Sequence, residues 1–402
     1  MKPVVRQLDR DEPREKVSQL RAISYPDLAG IRGPGLYEAM YLWYRHHPLG
    51  DRLQRWVSET GDGQVVGHLA ALPLYYRING QRVVAHTPGD YMVHPDHGFQ
   101  ALSLMRRFFK SVDNCFSCDR VPAVIGAEAR LGAEVAGQMQ YAVKLLNVSR
   151  LPIPAITERI YGALGLPSSS APGRGSPESR APERANGEQE GEPIPPARPR
   201  RPIPNPVKSL LNRMLGGLDG RLLRGYGTDY KVEEADRFDE SFDELFEKVA
   251  AVVPCVQEKD AAFLNWRYGP GAPQSPVKVL CVRDARGLLG YAVVKVTLEG
   301  EDAYILDLTV LPGYTTVARA LLRESVRYFR DQGAHIIRYR YLESPTTPRG
   351  KDLGRLGFFS RGAERRDSVL VRFEDPVRHE MAVDLANWSY NIGDGEATFW
   401  MR

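Results

Sequence analysis

The sequence predicts an α+β (mixed α/β) protein in which two similar halves each form a twisted, mostly antiparallel sheet flanked by helices. Three β-rich runs in the first half are separated by turn residues at 60–63 and at Asn79-Gly80, and an Asn-Gly pair between apolar runs is a strong hairpin signal. An apolar strand over 91–93 then leads through a loop at 94–98 into an amphipathic helix. The same order recurs after residue 277. Both halves therefore look like one fold used twice.

The composition is that of an ordinary globular protein of more than one domain. The chain has 402 residues, 43% hydrophobic and 26% charged, which is too long for a single ordinary core. A net charge of +4 gives no support to nucleic-acid binding. The charged N-terminal segment and the absence of an apolar run of membrane-spanning length predict a cytoplasmic protein without a membrane span.

The first half begins with a short apolar strand, a charged helix and a helix over 36–50, which precede the three-stranded meander. The helix after the central loop has one apolar face, formed by Ala101, Leu104, Met105, Phe108 and Val112. We then expect a buried parallel strand over 121–127, a helix over 129–141 and a last strand over 142–151. The first domain is predicted to cover residues 1–165.

Residues 166–206 form a segment rich in Pro, Gly, Ser, Glu and Arg with few aliphatic side chains. Such a composition buries too little apolar surface to offset the entropy of ordering, so it predicts a disordered linker or insertion. Its basic end at 198–201 could contact a protein partner, although a solvated linker is the simpler interpretation.

The second domain, predicted over 207–402, contains strands at 277–282, 290–296 and 303–311, an amphipathic helix after 315, and a strand at 335–342. The loop that opens this helix, 312–316, has a single glycine. An anion site at a helix start uses small residues and unpaired backbone amides, so the second copy is predicted to be a degenerate one.

The run VHPDHGFQALSLM at 93–105 resembles the acetyl-CoA loop of the GNAT superfamily of N-acetyltransferases, and the order of elements is similar to theirs. The family's loop has Arg or Gln, two free positions, Gly, a free position, then Gly or Ala. With Gly98 at the central glycine, Pro95 and Gln100 occupy the flanking positions, so the letters depart from the pattern. The resemblance implies two tandem acyltransferase-like domains, with acetyl-CoA or another acyl-CoA as co-substrate in the first and an acceptor wall in the second.

The resemblance also implies site residues. The backbone of Tyr91, Met92, Val93 and His94 would lie at the acyl carbonyl, and Gly98, Phe99, Gln100 and Ala101 would bind the diphosphate. The candidate base is Glu128 or Asp90, and Tyr141 is the candidate acid for the leaving thiolate. Each has a structural alternative: Asp90 as the cap of the turn at 88–89, Glu128 as a partner of Arg130, and Tyr141 as a core residue.

No metal site is predicted. His86 and His94 share a strand face but are separated by eight residues, more than about 25 Å in an extended strand. The four cysteines include one Cys-x-x-Cys pair at Cys115 and Cys118, without the clustered histidines or second pair of a zinc site.

Two aromatic segments, 260–268 and 387–396, resemble a Trp-Arg-Tyr segment and a terminal Gly-Asp-x-Glu of bacterial acetyltransferase-like proteins of exopolysaccharide or cell-envelope biosynthesis. Aromatic side chains stack on sugars, but they also fill cores and interfaces. The sequence thus favours an N-acyltransferase acting on an amine of a small molecule or glycan, such as an amino sugar or aminoacyl group. A catalytically silent GNAT-like binding scaffold is the alternative, and the tandem architecture is also similar to FemAB-type aminoacyl transferases.

Overall fold

The computed structural model describes residues 3–9, 15–26, 34–149, 205–297, 300 and 302–395. The chain divides into two compact units, Met1–Asn147 with Leu215–Arg402, and Val148–Met214. In the small unit, Val148 donates its amide to Asn212 Oδ1 at 2.8 Å and Lys208 donates to the Ser149 carbonyl at 2.7 Å. The predicted linker lies almost wholly outside the described residues, and the predicted domain boundaries stay a prediction.

The described residues form ten α-helices and sixteen strands. The helices are α1 Glu15–Ser24, α2 Pro34–Arg45, α3 Gln100–Ser111, α4 Pro122–Arg130, α5 Asn205–Leu222, α6 Glu240–Ala250, α7 Ala261–Tyr268, α8 Thr315–Asp331, α9 Gly350–Arg355 and α10 Pro376–Val383. The strands are β1 Val4–Gln7, β2 Gln54–Glu59, β3 Val65–Ile78, β4 Gln81–Val93, β5 Cys115–Asp119, β6 Glu134–Gln138, β7 Gln140–Leu145, β8 Glu233–Ala235, β9 Cys255–Gln257, β10 Lys278–Asp284, β11 Gly287–Val296, β12 Asp302–Val310, β13 Ile336–Tyr341, β14 Phe359–Ser360, β15 Ser368–Arg372 and β16 Trp388–Ser389.

The strands make two sheets, each built around a meander that the sequence predicted. The first runs β1-β2-β3-β4-β5-β15-β6, with β9 and β16 joined to β3, and the second runs β14-β7-β13-β12-β11-β10-β8. The hairpin between β3 and β4 turns at Asn79 and Gly80, both at positive φ (51° and 73°), as a two-residue Asn-Gly turn requires. Helix α3 packs Leu104, Met105 and Phe108 against the first sheet, which confirms its predicted apolar face.

The two halves exchange one strand each. Strand β7 precedes residue 150 but lies between β13 and β14 in the second sheet, whereas β15 comes from the second half and lies between β5 and β6 in the first. A large cluster of buried side chains, including Phe116, Tyr268 and Trp388, therefore draws on both halves of the sequence. Sequence analysis did not predict this exchange.

Two predicted elements are wrong. Residues 122–130 form helix α4, and the parallel strand is the preceding β5. The strand ends because Asp119 Oδ1 accepts the amides of Arg120 and Val121, both at 2.6 Å, and Pro122 follows at a position suited to the first turn of a helix. The predicted helix over 129–141 is instead mostly β6 and the start of β7, broken by Gly132 and Gly137 at positive φ.

Candidate active site

Strands β4 and β5 are parallel but diverge. In the described ladder they share one residue pair, His86 with Cys115, supported by a bond from Thr87 Oγ1 to the Phe116 carbonyl at 2.8 Å. Beyond this point β4 continues to Val93 and β5 to Asp119 without a further pair in that ladder. The divergence opens a gap in the first sheet, with the backbone of both strands along its sides.

A β-bulge in β4 lies at this gap. Ala70 pairs with Gly89 and His68 with Met92, so that Asp90 and Tyr91 together oppose a single residue of β3. Asp90 has φ of 48°, a conformation that non-glycine residues adopt rarely. A bulge of this kind takes backbone groups out of the ladder and redirects the neighbouring side chains.

The Asp90 carboxylate points into the core. Its side chain is fully buried and forms an ion pair with Arg21 (Nη2 to Oδ2, 2.5 Å; Nε to Oδ1, 3.2 Å). Burial alone would raise the pKa of Asp90, but the attraction of Arg21 and His68 outweighs it and lowers the pKa. Asp90 therefore remains an ionised structural counter-ion that holds the bulge, and it is not among the cavity-lining residues.

A cavity of about 930 Å³ lies beside the diverging strands. Its walls combine β4, the end of β5, α3 and α4 with β7, β12, β13 and the loop before β15. The lining residues are Tyr25, Thr87, Pro88, Tyr91, Met105, Ser117, Cys118, Asp119, Arg120, Val121, Val124, Glu128, Tyr141, Asp302, Tyr304, Arg338, Arg340, Glu364, Arg365, Asp367, Ile392 and Gly395. The second half thus forms one wall, and the strand exchange delivers Tyr141 to it.

Glu128 is the buried carboxyl of this cavity. It lies on α4 with 1% of its surface exposed, and Ser117 Oγ donates a hydrogen bond to its Oε2. Burial raises the pKa of Glu128 to about 7, with Ser117 acting in the opposite direction and the nearby Asp119 adding to the rise. At neutral pH the carboxyl is therefore present in both protonation states, as a group that takes up and releases protons requires.

Tyr91 and Tyr141 line the same cavity. Burial raises the pKa of Tyr91 well above its ordinary value, and the carboxylate of Glu128 adds to the rise. Tyr141 Oη accepts a hydrogen bond from Arg338 Nη1 at 2.8 Å, and the guanidinium of Arg340 lies over the Tyr141 ring at 4.5 Å. Three residues proposed from the sequence, Glu128, Tyr91 and Tyr141, are thus brought together.

Part of the strand that was predicted to bind the acyl group is already hydrogen-bonded to β3. Val93 and Met92 pair with Gly67 and His68 in the β3–β4 ladder, and the His94 amide donates to the Val66 carbonyl at 2.9 Å. The His94 amide is therefore already bonded within the sheet. Of the four residues predicted at the acyl carbonyl, Tyr91 is the one that the bulge releases from the ladder.

The predicted diphosphate loop is nearly helical throughout. A 3₁₀ turn over Pro95–His97 runs into α3 through Gly98 and Phe99, both with right-handed helical dihedral angles. The Ala101 amide donates to the Gly98 carbonyl at 3.1 Å. The Gln100 side chain is buried and accepts a hydrogen bond from Ser58 Oγ at 2.8 Å. Phe99 is 57% exposed, and none of these residues lines the cavity.

The second sheet contains an equivalent divergence, which its own chain fills. Strands β12 and β13 are parallel from Asp302 and Ile336 as far as Ile305 and Tyr339. Beyond this, the segment 390–395 lies between them: Leu342 donates its amide to the Tyr390 carbonyl at 2.8 Å, and Asn391 Nδ2 donates to Asp307 Oδ1 at 2.9 Å. We call this segment the plug.

The plug is tightly packed and charged inside. Lys259 lies between Asp307 (3.1 Å) and Asp394 (2.9 Å), all three with at most 3% of the side chain exposed. Arg267 Nε donates to the Gly393 carbonyl at 3.0 Å, so the two aromatic segments singled out in the sequence contact each other. These contacts are accounted for by the interpretation in which the two aromatic segments fill a core or an interface.

Sequence reasoning missed several polar residues of the cavity, among them Ser117, Asp302, Arg338, Arg340 and Asp367. The alternation of charged and aromatic residues in 338–341 was the available signal, since alternate residues of a strand face the same side. Within the described parts of the chain, no group of His, Cys, Asp and Glu side chains has the arrangement of a metal site. No described helix is long and apolar enough to cross a membrane.

Solved structures match this architecture over almost the whole chain. A GCN5-related N-acetyltransferase from Anabaena variabilis is 12% identical with a TM-score of 0.52, covering 93% of this chain and 74% of that chain. The chain has the GNAT fold. A conserved protein of unknown function from Enterococcus faecalis, described as a probable N-acyltransferase, gives a TM-score of 0.51 at 10% identity, covering 94% and 74%.

A third solved structure matches over a similar share of the chain. N-myristoyltransferase from Saccharomyces cerevisiae with bound myristoyl-CoA gives a TM-score of 0.52 at 10% identity, covering 93% of this chain and 83% of that chain. No family model matches the sequence, and no curated protein sequence matches it either. The likeness is therefore one of fold.

Proposed function

We propose that this GNAT-fold protein is an acyl-CoA-dependent N-acyltransferase, with acetyl-CoA or another acyl-CoA as co-substrate and an amine such as an amino sugar or an aminoacyl group as acceptor. The observation that carries the proposal is the open gap between β4 and β5, which adjoins a cavity holding a buried carboxyl with a pKa of about 7. The corresponding gap of the second sheet is filled by the plug. One co-substrate per chain is therefore expected.

The chemistry assigns one role to each group. Glu128 takes a proton from the acceptor ammonium, and the freed amine nitrogen bonds to the acyl carbon as the carbon–sulfur bond breaks. The backbone amide of Tyr91, in the bulge, polarises the acyl carbonyl because Tyr91 lies outside the pairing with β3. Tyr141 gives its hydroxyl proton to the departing thiolate, and the second proton that the nitrogen loses as the amide forms restores the hydroxyl. Its oxygen already accepts from Arg338, and its O–H has no acceptor among the described residues.

Binding of the co-substrate follows the direction of the strands. The pantetheine amides would bond the backbone of β4 and β5 where the strands diverge, and the diphosphate would lie at the N-terminus of α3, near Gly98, Phe99 and Gln100. The Ala101 amide is already bonded to Gly98 and the His94 amide to Val66, so the proposal omits these two residues. Asp90 is omitted as the base because Arg21 already neutralises it.

The near-helical loop favours a second candidate, a GNAT-like scaffold that binds a ligand without acyl transfer. A loop that already bonds within itself offers fewer amides to a diphosphate. Calorimetric titration with acetyl-CoA separates the two functions. We expect binding of one molecule per chain, with the Glu128→Gln variant binding as well as the wild type but releasing CoA about 10²-fold or more slowly in the presence of amines. An absence of binding at millimolar acetyl-CoA would leave only the scaffold.

A further inference from the structure

Two arginines on β13 form part of the cavity wall. Arg338 and Arg340 are alternate residues of the strand and both line the cavity, whereas Tyr339 between them is fully buried on the other face. Arg338 Nε donates to Asp302 Oδ2 at 2.7 Å, and Arg340 Nε lies 3.1 Å from Asp367 Oδ2. Each guanidinium thus lies against a carboxylate, Arg338 through a hydrogen bond and Arg340 at ion-pair distance.

Tyr141 joins the two guanidinium groups. Its hydroxyl accepts from Arg338 Nη1, and its ring lies under Arg340 at 4.5 Å. Two like charges on one tyrosine repel each other unless counter-charges lie nearby. Asp302 and Asp367 supply these counter-charges, and the hydrogen bond to Asp302 fixes the orientation of Arg338 before any ligand arrives.

These contacts leave hydrogen-bond donors at the wall. A guanidinium has five N–H donors. Arg338 bonds to Asp302 and Tyr141 through Nε and Nη1, and Arg340 contacts Asp367 through Nε and the Tyr141 ring through its face. Among the described residues, Arg338 Nη2 and both Nη groups of Arg340 therefore have no hydrogen-bond partner. The two arginines therefore present several donors from a single strand face.

A different wall of the cavity carries the proposed base. Glu128 lies on α4 beside β5, and the arginines lie on β13 of the second sheet. A ligand in the cavity therefore meets a carboxyl on one wall and a pair of guanidinium groups on another. An amine that also bears an oxyanion fits both, because guanidinium groups bind carboxylate and phosphate through two parallel hydrogen bonds.

We propose that the acceptor is an amine carrying an anionic group, a carboxylate or a phosphate, and that Arg338 and Arg340 bind this group while the amine faces Glu128. This inference rests on the proposed acyl transfer and names its substrate class. Asp302 and Asp367, beside the two arginines, are already paired with them, so these two carboxylates offer less to a second cationic group on the acceptor.

Matched amines test the proposal. CoA release from acetyl-CoA is measured with L-alanine against L-alaninamide, and with glucosamine 6-phosphate against glucosamine. These pairs differ mainly in the anionic group, and the two arms distinguish a carboxylate from a phosphate. We expect at least one anionic member to be used at least about tenfold more efficiently, in kcat/KM, than its neutral counterpart. Equal use of both members in each pair, or the use of none, overturns the inference.

Variants assign the effect to the arginines. Arg338→Gln and Arg340→Gln are each expected to lower the preference for the anionic amine, measured as the ratio of its kcat/KM to that of the neutral amine, at least about tenfold, chiefly through a higher KM for the anionic amine, with partial recovery in Arg338→Lys. Arg327→Gln, at an exposed position of α8, is the control and should match the wild type. Acetyl-CoA titration of each variant separates the two proposals: normal binding with unchanged preference refutes the anion site alone, whereas no binding by the wild type refutes acyl transfer itself.

Discussion

The Glu128→Gln substitution tests the raised pKa of Glu128, and the test does not require that the acceptor be known. In the unfolded chain a glutamate ionises near pH 4.5, whereas burial raises the pKa of Glu128 in the folded protein to about 7. Between these values the folded state holds the proton more tightly than the unfolded state, so folding stability falls as pH rises. Glutamine does not ionise, so the Glu128→Gln variant lacks this pH-dependent loss of folding stability.

The size of the effect follows from the shift. A pKa unit corresponds to about 1.4 kcal/mol, so the wild type should lose about 2 to 3 kcal/mol of unfolding free energy between pH 5 and pH 8 through this residue alone. The free energy of unfolding of Glu128→Gln minus that of the wild type should increase by this amount over the same range. Urea denaturation at several pH values, followed by circular dichroism, measures it.

The control is Glu324→Gln, at a partly exposed glutamate of α8. The difference in unfolding free energy between this variant and the wild type should change little with pH. A difference for Glu128→Gln that is equally flat from pH 5 to pH 8 would refute the reasoning, because it would mean that the carboxyl ionises in the folded protein as it does in water. The same variant should lower turnover by about 10²-fold or more.

Three further predictions concern the bonds described above. Ser117→Ala removes a hydrogen bond that stabilises ionised Glu128, so the rise of kcat with pH should move to higher pH; an unchanged pH–rate profile would separate Ser117 from the base. Gly393→Ala, in the plug, places a methyl group 2.5 Å from the Leu306 carbonyl oxygen of β12 and should cost about 2 to 4 kcal/mol in urea unfolding, whereas Gly354→Ala, in open space on α9, should be neutral or slightly stabilising. Lys259→Met leaves two buried carboxylates without their cation and should cost about 3 to 5 kcal/mol at pH 7; a loss below 1 kcal/mol would contradict the buried network.

The elements that could be predicted from the sequence are those whose signals are local. The Asn79-Gly80 turn fixes the β3–β4 hairpin, and the apolar face of α3 has helical spacing. Residues 122–130 are a short apolar run, for which periodicity does not separate a strand from a helix. The helix forms there because Asp119 ends the strand and Pro122 starts the next turn.

The candidate site could be predicted only in part, since it depends on long-range pairing. Tyr91 and Glu128 came from the loop and its neighbourhood, and both line the cavity. Arg338 and Asp367 come from elements more than 200 residues away, and β7 and β15 exchange sheets. Local sequence propensity does not predict the pairing of β7 and β15, because this pairing depends on which strand edges are still unpaired once both halves have formed.

The exchange of β7 and β15 has a consequence for how the protein is synthesised. Strand β5 leaves the ribosome roughly 250 residues before its partner β15, and contacts of such separation form slowly. Until then the nascent chain carries an unpaired strand edge, which is the kind of surface that recruits other chains. Neither half would be expected to survive as a separate product of truncation, and expression should depend on chaperones that shield that edge during translation.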